Sequence, residues 1–184
     1  MKLNYYPFLT LIFTCNFLMG QSYLSQDEVS LFGMKLMDNA RDHITYNELE
    51  SKEVNEETAD LFYDVWLESK KNANFSYIYI TIDSNNIIHG IAGIEEVDAA
   101  LYECKEKILP KFVSRFEQKY FTSTQASETV HTSFINHIEQ VDLFEGSAFR
   151  FQCQEHFSGN HVFWTIFQSY ELRESVERYY DEGF

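Results

Sequence analysis

The stretch FRFQCQEHFSGNHVFWTIFQSYE, residues 149–171, constrains the fold more than any other part of the chain. Phe149, Phe151, Cys153 and Phe157 alternate with Arg150, Gln152, Gln154 and His156. A period of two puts the two sets on opposite faces of a strand. Ser158-Gly159-Asn160 is turn chemistry, and His161–Tyr170 reads as the returning strand of a hairpin. With Gly159-Asn160 as a two-residue loop, Cys153 lies opposite Ile166 and Phe151 opposite Gln168. One face then carries Phe149, Phe151, Cys153, Phe157, Val162, Trp164 and Ile166, with Glu155 at its edge. The other carries Arg150, Gln152, Gln154, His156, Phe163, Thr165 and Phe167. That mixture of aromatic and hydrogen-bonding groups suits a binding pocket and a half-solvated sheet face alike. A register slip of one residue would change the face that the second strand presents.

The same alternation decides the chemistry of the segment. Cys153 and His156 stand three apart, so a regular strand cannot turn both toward one ion. His156 and His161 can approach each other near the turn, yet two imidazoles without a third ligand make no zinc site. No metal and no cofactor is expected. The candidate binding residues are Arg150, Gln152, Gln154, His156, His161 and Phe163, and no residue is assigned a catalytic role.

The rest of the chain supplies partners for this hairpin. Ser25 and Glu28 match a capping box, and Val29, Phe32, Leu36 and Ala40 follow at helical spacing. A second helix is expected from Asn55, burying Phe62, Val65 and Trp66. Phe75–Ile82 and Ile87–Ile94 read as a hairpin across Asp83-Ser84-Asn85-Asn86, and Gly90 and Gly93 weaken its second strand or admit a close neighbour. Val97, Leu101, Cys104 and Ile108 predict a helix that Pro110 stops or kinks, with Phe112, Phe116 and Tyr120 on a further helical piece. Residues 128–141 fit either period and are read as a strand, because sequential strands usually pair. Leu172–Asp181 closes the chain as a helix. The expected fold is α+β: an antiparallel sheet, built from an N-terminal hairpin and a C-terminal meander, packed against several helices in one domain over residues 23–184.

Residues 1–22 have the order of a signal peptide: Lys2, the apolar run 8–19, then Gly20-Gln21-Ser22. Cleavage is expected after Ser22 or Gly20, giving a secreted or periplasmic protein. A lipoprotein anchor at Cys15 fits less well, since Phe13-Thr14 precedes that cysteine where a small residue is wanted. No later stretch could span a membrane. The formal charge of −15 becomes −16 once Lys2 is lost, and such a surface repels phosphate backbones, so nucleic acid is not an expected partner. Of the three cysteines, Cys104 and Cys153 remain after processing. They can form one disulfide or remain two buried thiols.

Other motifs carry little. Asp83-Ser84-Asn85 opens like a calcium loop, but Ile88 and Ile94 stand where the loop needs glycine and glutamate. Asn74-Phe75-Ser76 is a glycosylation sequon in a eukaryotic host. His43, His89, His131 and His137 lack a local partner pattern, and there is no H-E-x-x-H, G-x-S-x-G, Walker loop or G-x-G-x-x-G. The sequence therefore points to a small exported non-enzymatic domain that binds a protein or a small molecule. An exported enzyme using a sheet-face histidine (His156 or His161) and a structural part in an envelope complex are the alternatives.

Overall fold

Among the described residues eight strands, most of them rich in β-branched and aromatic residues, form one antiparallel sheet. They are β1 (Glu53–Val54), β2 (Tyr63–Trp66), β3 (Tyr77–Ile82), β4 (Ile88–Val97), β5 (Gln125–Val130), β6 (Phe134–Asp142), β7 (Ala148–His156) and β8 (His161–Gln168). Their order across the sheet is β1-β2-β3-β4-β8-β7-β6-β5. Two four-stranded meanders therefore meet edge to edge, joined by the pairing of β4 with β8 from Gly90↔Gln168 to Val97↔His161. The α-helices are α1 (Tyr46–Glu50), α2 (Leu109–Tyr120) and α3 (Tyr170–Asp181). This computed structural model describes residues 24–58, 60–70, 74–97, 104–130, 132–156 and 161–181.

The two longer helices cover opposite faces of the sheet. On one, Phe112 and Phe116 of α2 meet Phe163 and Phe149, with ring centroids 4.8 and 4.5 Å apart. Ile78, Ile80, Phe151, Cys153 and Phe167 complete this core, and residues 24–50 close it with Val29, Met34, Leu36 and Ala40, all buried. Each Val, Leu, Ile, Met or Phe among them contributes on the order of 1.5–3 kcal/mol when fully buried. On the other face lies α3, seated through Leu172. Gly90 makes room for it: a Cβ there would stand 2.7 Å from Leu172 Cδ2 and 3.0 Å from Thr81 Cβ. Gly93 does the same for Phe32 and Phe75 on the α2 face, where a Cβ would meet ring carbons at 2.6 and 2.8 Å. Close approach thus explains both glycines.

The sheet overturns the expected α+β arrangement of a hairpin and a separate meander under several helices. The helix expected after Ser25 is absent. The capping box forms, but it caps a single 3₁₀ turn, Gln26–Glu28. The chain then reverses through Phe32 and Gly33, whose φ angles of 54° and 79° are left-handed and end any helix. The helix expected from Asn55 is also absent. One 3₁₀ turn, Glu56–Thr58, leads into β2, where Tyr63, Val65 and Trp66 find partners on β3 that outweigh weak helix propensity. Val97 ends β4 instead of opening a helix, and Leu101 lies outside the described residues. A π-helical stretch, Cys104–Ile108, leads into α2, and Pro110 sits in the first turn of that helix, where its missing N–H costs nothing. Residues 125–142 make two strands, so the second meander has four strands, not three.

Candidate functional site

The face of the sheet beneath α3 holds a cavity of about 690 Å³. Strand alternation builds its floor. On β7 the residues between buried Phe149, Phe151 and Cys153 are Arg150, Gln152 and Gln154, and all three line the cavity. Trp164, Ile166 and Gln168 of β8, with Tyr79 of β3, extend the floor, and Arg173, Val176 and Tyr180 of α3 form the roof.

The register of the β7–β8 hairpin differs from the expected one. Cys153 pairs with Phe163, not Ile166, and Phe151 with Thr165, not Gln168. The last paired residues are Glu155 and His161, so the connection is longer than two residues. A shift of three residues is odd and exchanges the faces of β8. Phe163 and Phe167 consequently enter the α2-side core, both at 0% exposure, while Val162, Trp164 and Ile166 turn to the α3 side. Every position from Val162 to Phe167 except Thr165 is apolar, so pattern alone could not choose between the two phases. The aromatic cluster of Phe75, Phe112 and Phe149 around Phe163 and Phe167 chooses.

Of the residues singled out in the sequence, Arg150, Gln152 and Gln154 therefore come together in the cavity. His156 lies on the same side, against Phe134, with its Nε2 3.2 Å from Gln154 Oε1. Phe163 and His161 do not join them. His161 is 3% exposed on the opposite face, and neither of its ring nitrogens has a hydrogen-bond partner among the described residues. The sequence missed Trp164, Tyr79 and the roof residues of α3. The two-residue-loop register puts Trp164 on the α2 face, whereas the observed register turns it to the α3 side, and α3 reaches the site only through tertiary packing.

Arg150 is the electrostatic centre of the cavity. Its Nε donates to Gln140 Oε1 at 3.0 Å, and among the described residues no carboxylate lies within ion-pair distance of it. Burial first, and then the nearby positive charge of Arg173, pushes its guanidinium below the usual arginine pKa, while the carboxylates of Asp142 and Glu177 oppose that shift in part. Arg173 itself is satisfied, pairing with Asp142 at 3.3 Å and donating to the Gly146 carbonyl at 2.9 Å. Burial, followed by the charges of Asp64 and Glu57, drives the Tyr79 hydroxyl far above its ordinary pKa, which keeps it a neutral donor. The Trp164 indole N–H is closed off from solvent and has no acceptor among the described residues. A partly desolvated cation and the Tyr79 donor thus share the cavity with the carboxylates of Glu57 and Glu177, and Ile166, Val176 and aromatic rings supply its apolar walls.

Two histidine clusters outside this cavity have the residue types of catalysis. Ser169 Oγ lies 3.0 Å from His89 Nδ1, and Asp83 Oδ2 lies 3.9 Å from His89 Nε2. However, Ser169 is 1% exposed and its Oγ accepts the Leu172 N–H at the start of α3. It is a helix cap rather than a nucleophile open to substrate. Asp83 likewise serves its turn, accepting the N–H groups of Asn85 and Ile87 at 2.9 and 2.8 Å. His137 Nδ1 lies 2.8 Å from Glu128 and its Nε2 3.0 Å from Glu155. Both ring nitrogens are engaged, which leaves none for general base work. Cys153 is bridged to Cys104, and among the described residues no group of three or more His, Cys, Asp or Glu could hold a metal ion. No described helix is long and apolar enough to cross a membrane. No family model, curated protein or solved structure matches the chain.

Proposed function

We propose that this chain is an exported, non-enzymatic binding domain that takes a small molecule with one anionic head and a flat apolar body into the cavity beneath α3. The observation that carries the reading is Arg150, a guanidinium drawn out of water beside an open cavity with a glutamine as its hydrogen-bond partner. Buried charges are paired or costly, and an incoming carboxylate supplies the missing pair through bidentate hydrogen bonds. The Tyr79 hydroxyl suits a further acceptor atom, and Ile166, Val176 and the Trp164 ring suit an apolar body. The formal charge of −15 disfavours polyanions and leaves a single small anion as the better fit. The Cys104–Cys153 bridge supports the export part of the reading, because disulfides persist in oxidising compartments. Native mass spectrometry on protein purified from its own host tests the proposal. A bound small acid should be recovered from the wild type and lost from Arg150→Met. Recovery of the same molecule from both proteins would overturn the assignment of the site.

A further inference from the structure

The sheet ends very differently at its two edges. β1 is a two-residue strand, a short edge of the kind that discourages further pairing. β5 has six residues, all exposed, and among the described residues it pairs with β6 alone. It carries no lysine, proline or bulge to blunt it, so a row of backbone donors and acceptors faces outward. Directly beside this edge, on the α2 face, runs a second cavity of about 640 Å³. Its one wall is the flank of α2 with Leu109, Pro110 and Val113, and its other is β5 and β6. An open edge strand flanked by a helix and a groove is the geometry in which an extended peptide adds a strand and drops alternate side chains into the groove.

The charge of the groove selects the peptide. Among the described residues, Glu106, Glu117, Glu128 and Glu139 line it against one lysine, Lys105, and His137. Glu128 pairs with both, Glu117 and Glu139 accept from Thr124, and the balance of formal charge in the groove stays acidic. An apolar wall under an acidic rim fits side chains with an aliphatic stem and a cationic head. A second copy of this chain fits poorly, since it would bring like-charged strands and two proteins of formal charge −15 together. We infer that β5 and the α2 groove form a docking site for an extended peptide segment with lysine or arginine at alternate positions, which adds to the sheet as a ninth strand. This site lies on the opposite face from Arg150 and does not depend on the small-molecule reading.

The test uses a fluorescent peptide of alternating threonine and lysine, its copy with methylated alternate backbone nitrogens, and a copy with glutamate for lysine. Binding is read by fluorescence anisotropy and by amide hydrogen exchange in β5. The lysine peptide should bind saturably and protect the amides of residues 125–130. Methylation should weaken it by more than about tenfold, since strand pairing supplies the affinity. Glu106→Lys, an exposed change outside the sheet, should weaken it by roughly fivefold, and the glutamate peptide should not bind. Equal binding of the methylated peptide would overturn strand addition. Equal binding of the glutamate peptide would overturn the charge selection. Absence of binding by the lysine peptide at millimolar concentration, or a stable dimer of the protein alone in sedimentation, would overturn the site.

Discussion

Cys104 and Cys153 are bridged with their Cα atoms 5.8 Å apart, fastening the π-helical stretch that leads into α2 to the middle of β7. Both are essentially without solvent exposure, so the bond holds the helix over the aromatic core. Closing a loop of 49 residues restricts the unfolded chain, which corresponds to about 4 kcal/mol in the chain-entropy view. The double change Cys104→Ser with Cys153→Ser should lower the urea midpoint accordingly. Thiol labelling of the denatured, unreduced protein should leave both positions unlabelled. Labelling of either one would contradict the bridge.

Gly93 faces Phe32 and Phe75 at distances that leave no room for a methyl group. Gly93→Ala should destabilise the protein by about 1–3 kcal/mol, the usual cost of overpacking a filled core. Chemical denaturation measures it, and an unchanged midpoint would show that the N-terminal segment does not pack on this face.

His89 predicts a pH dependence. Burial lowers its pKa below 6.5, and the nearby carboxylates of Asp83 and Glu171 oppose that shift only in part. The folded state therefore disfavours the proton that the unfolded state accepts, and stability falls as the pH drops below about 6.5. Because other groups titrate in the same range, the comparison is with His89→Gln. The wild type should lose more stability than the variant between about pH 7.5 and about pH 5. Parallel stability curves would refute the role given to burial.

How much of this was legible in the sequence depended on whether the deciding contacts were local. The β3–β4 hairpin was, because its isoleucine-rich strands flank the Asp83 turn, and so was α3. The alternation of β7 placed Arg150, Gln152 and Gln154 on one face, and the structure keeps them there. The face of β8 was not legible, since both of its phases are apolar and distant rings make the choice. Nor was the segment 26–40, where apolar spacing suits a helix but Phe32 and Gly33 turn left-handed. His137 showed no pattern because Glu128 and Glu155 reach it from neighbouring strands.

The order of residues 1–22 predicts removal of a signal peptide on export. N-terminal sequencing of protein made by its own host should begin at Gln21 or Tyr23. An intact Met1 on a cytoplasmic product would end that reading.

The central claim is that Arg150 anchors an anionic ligand under α3, and nuclear magnetic resonance of its Nε–H group tests it most directly. Naphthoate, a flat body with one carboxylate, should shift that signal saturably, whereas the neutral amide naphthamide should bind roughly ten- to a hundredfold more weakly. In Arg150→Met the naphthoate affinity should fall by the same factor. Equal affinity for acid and amide, or an Arg150 signal that naphthoate leaves unmoved, would contradict the account.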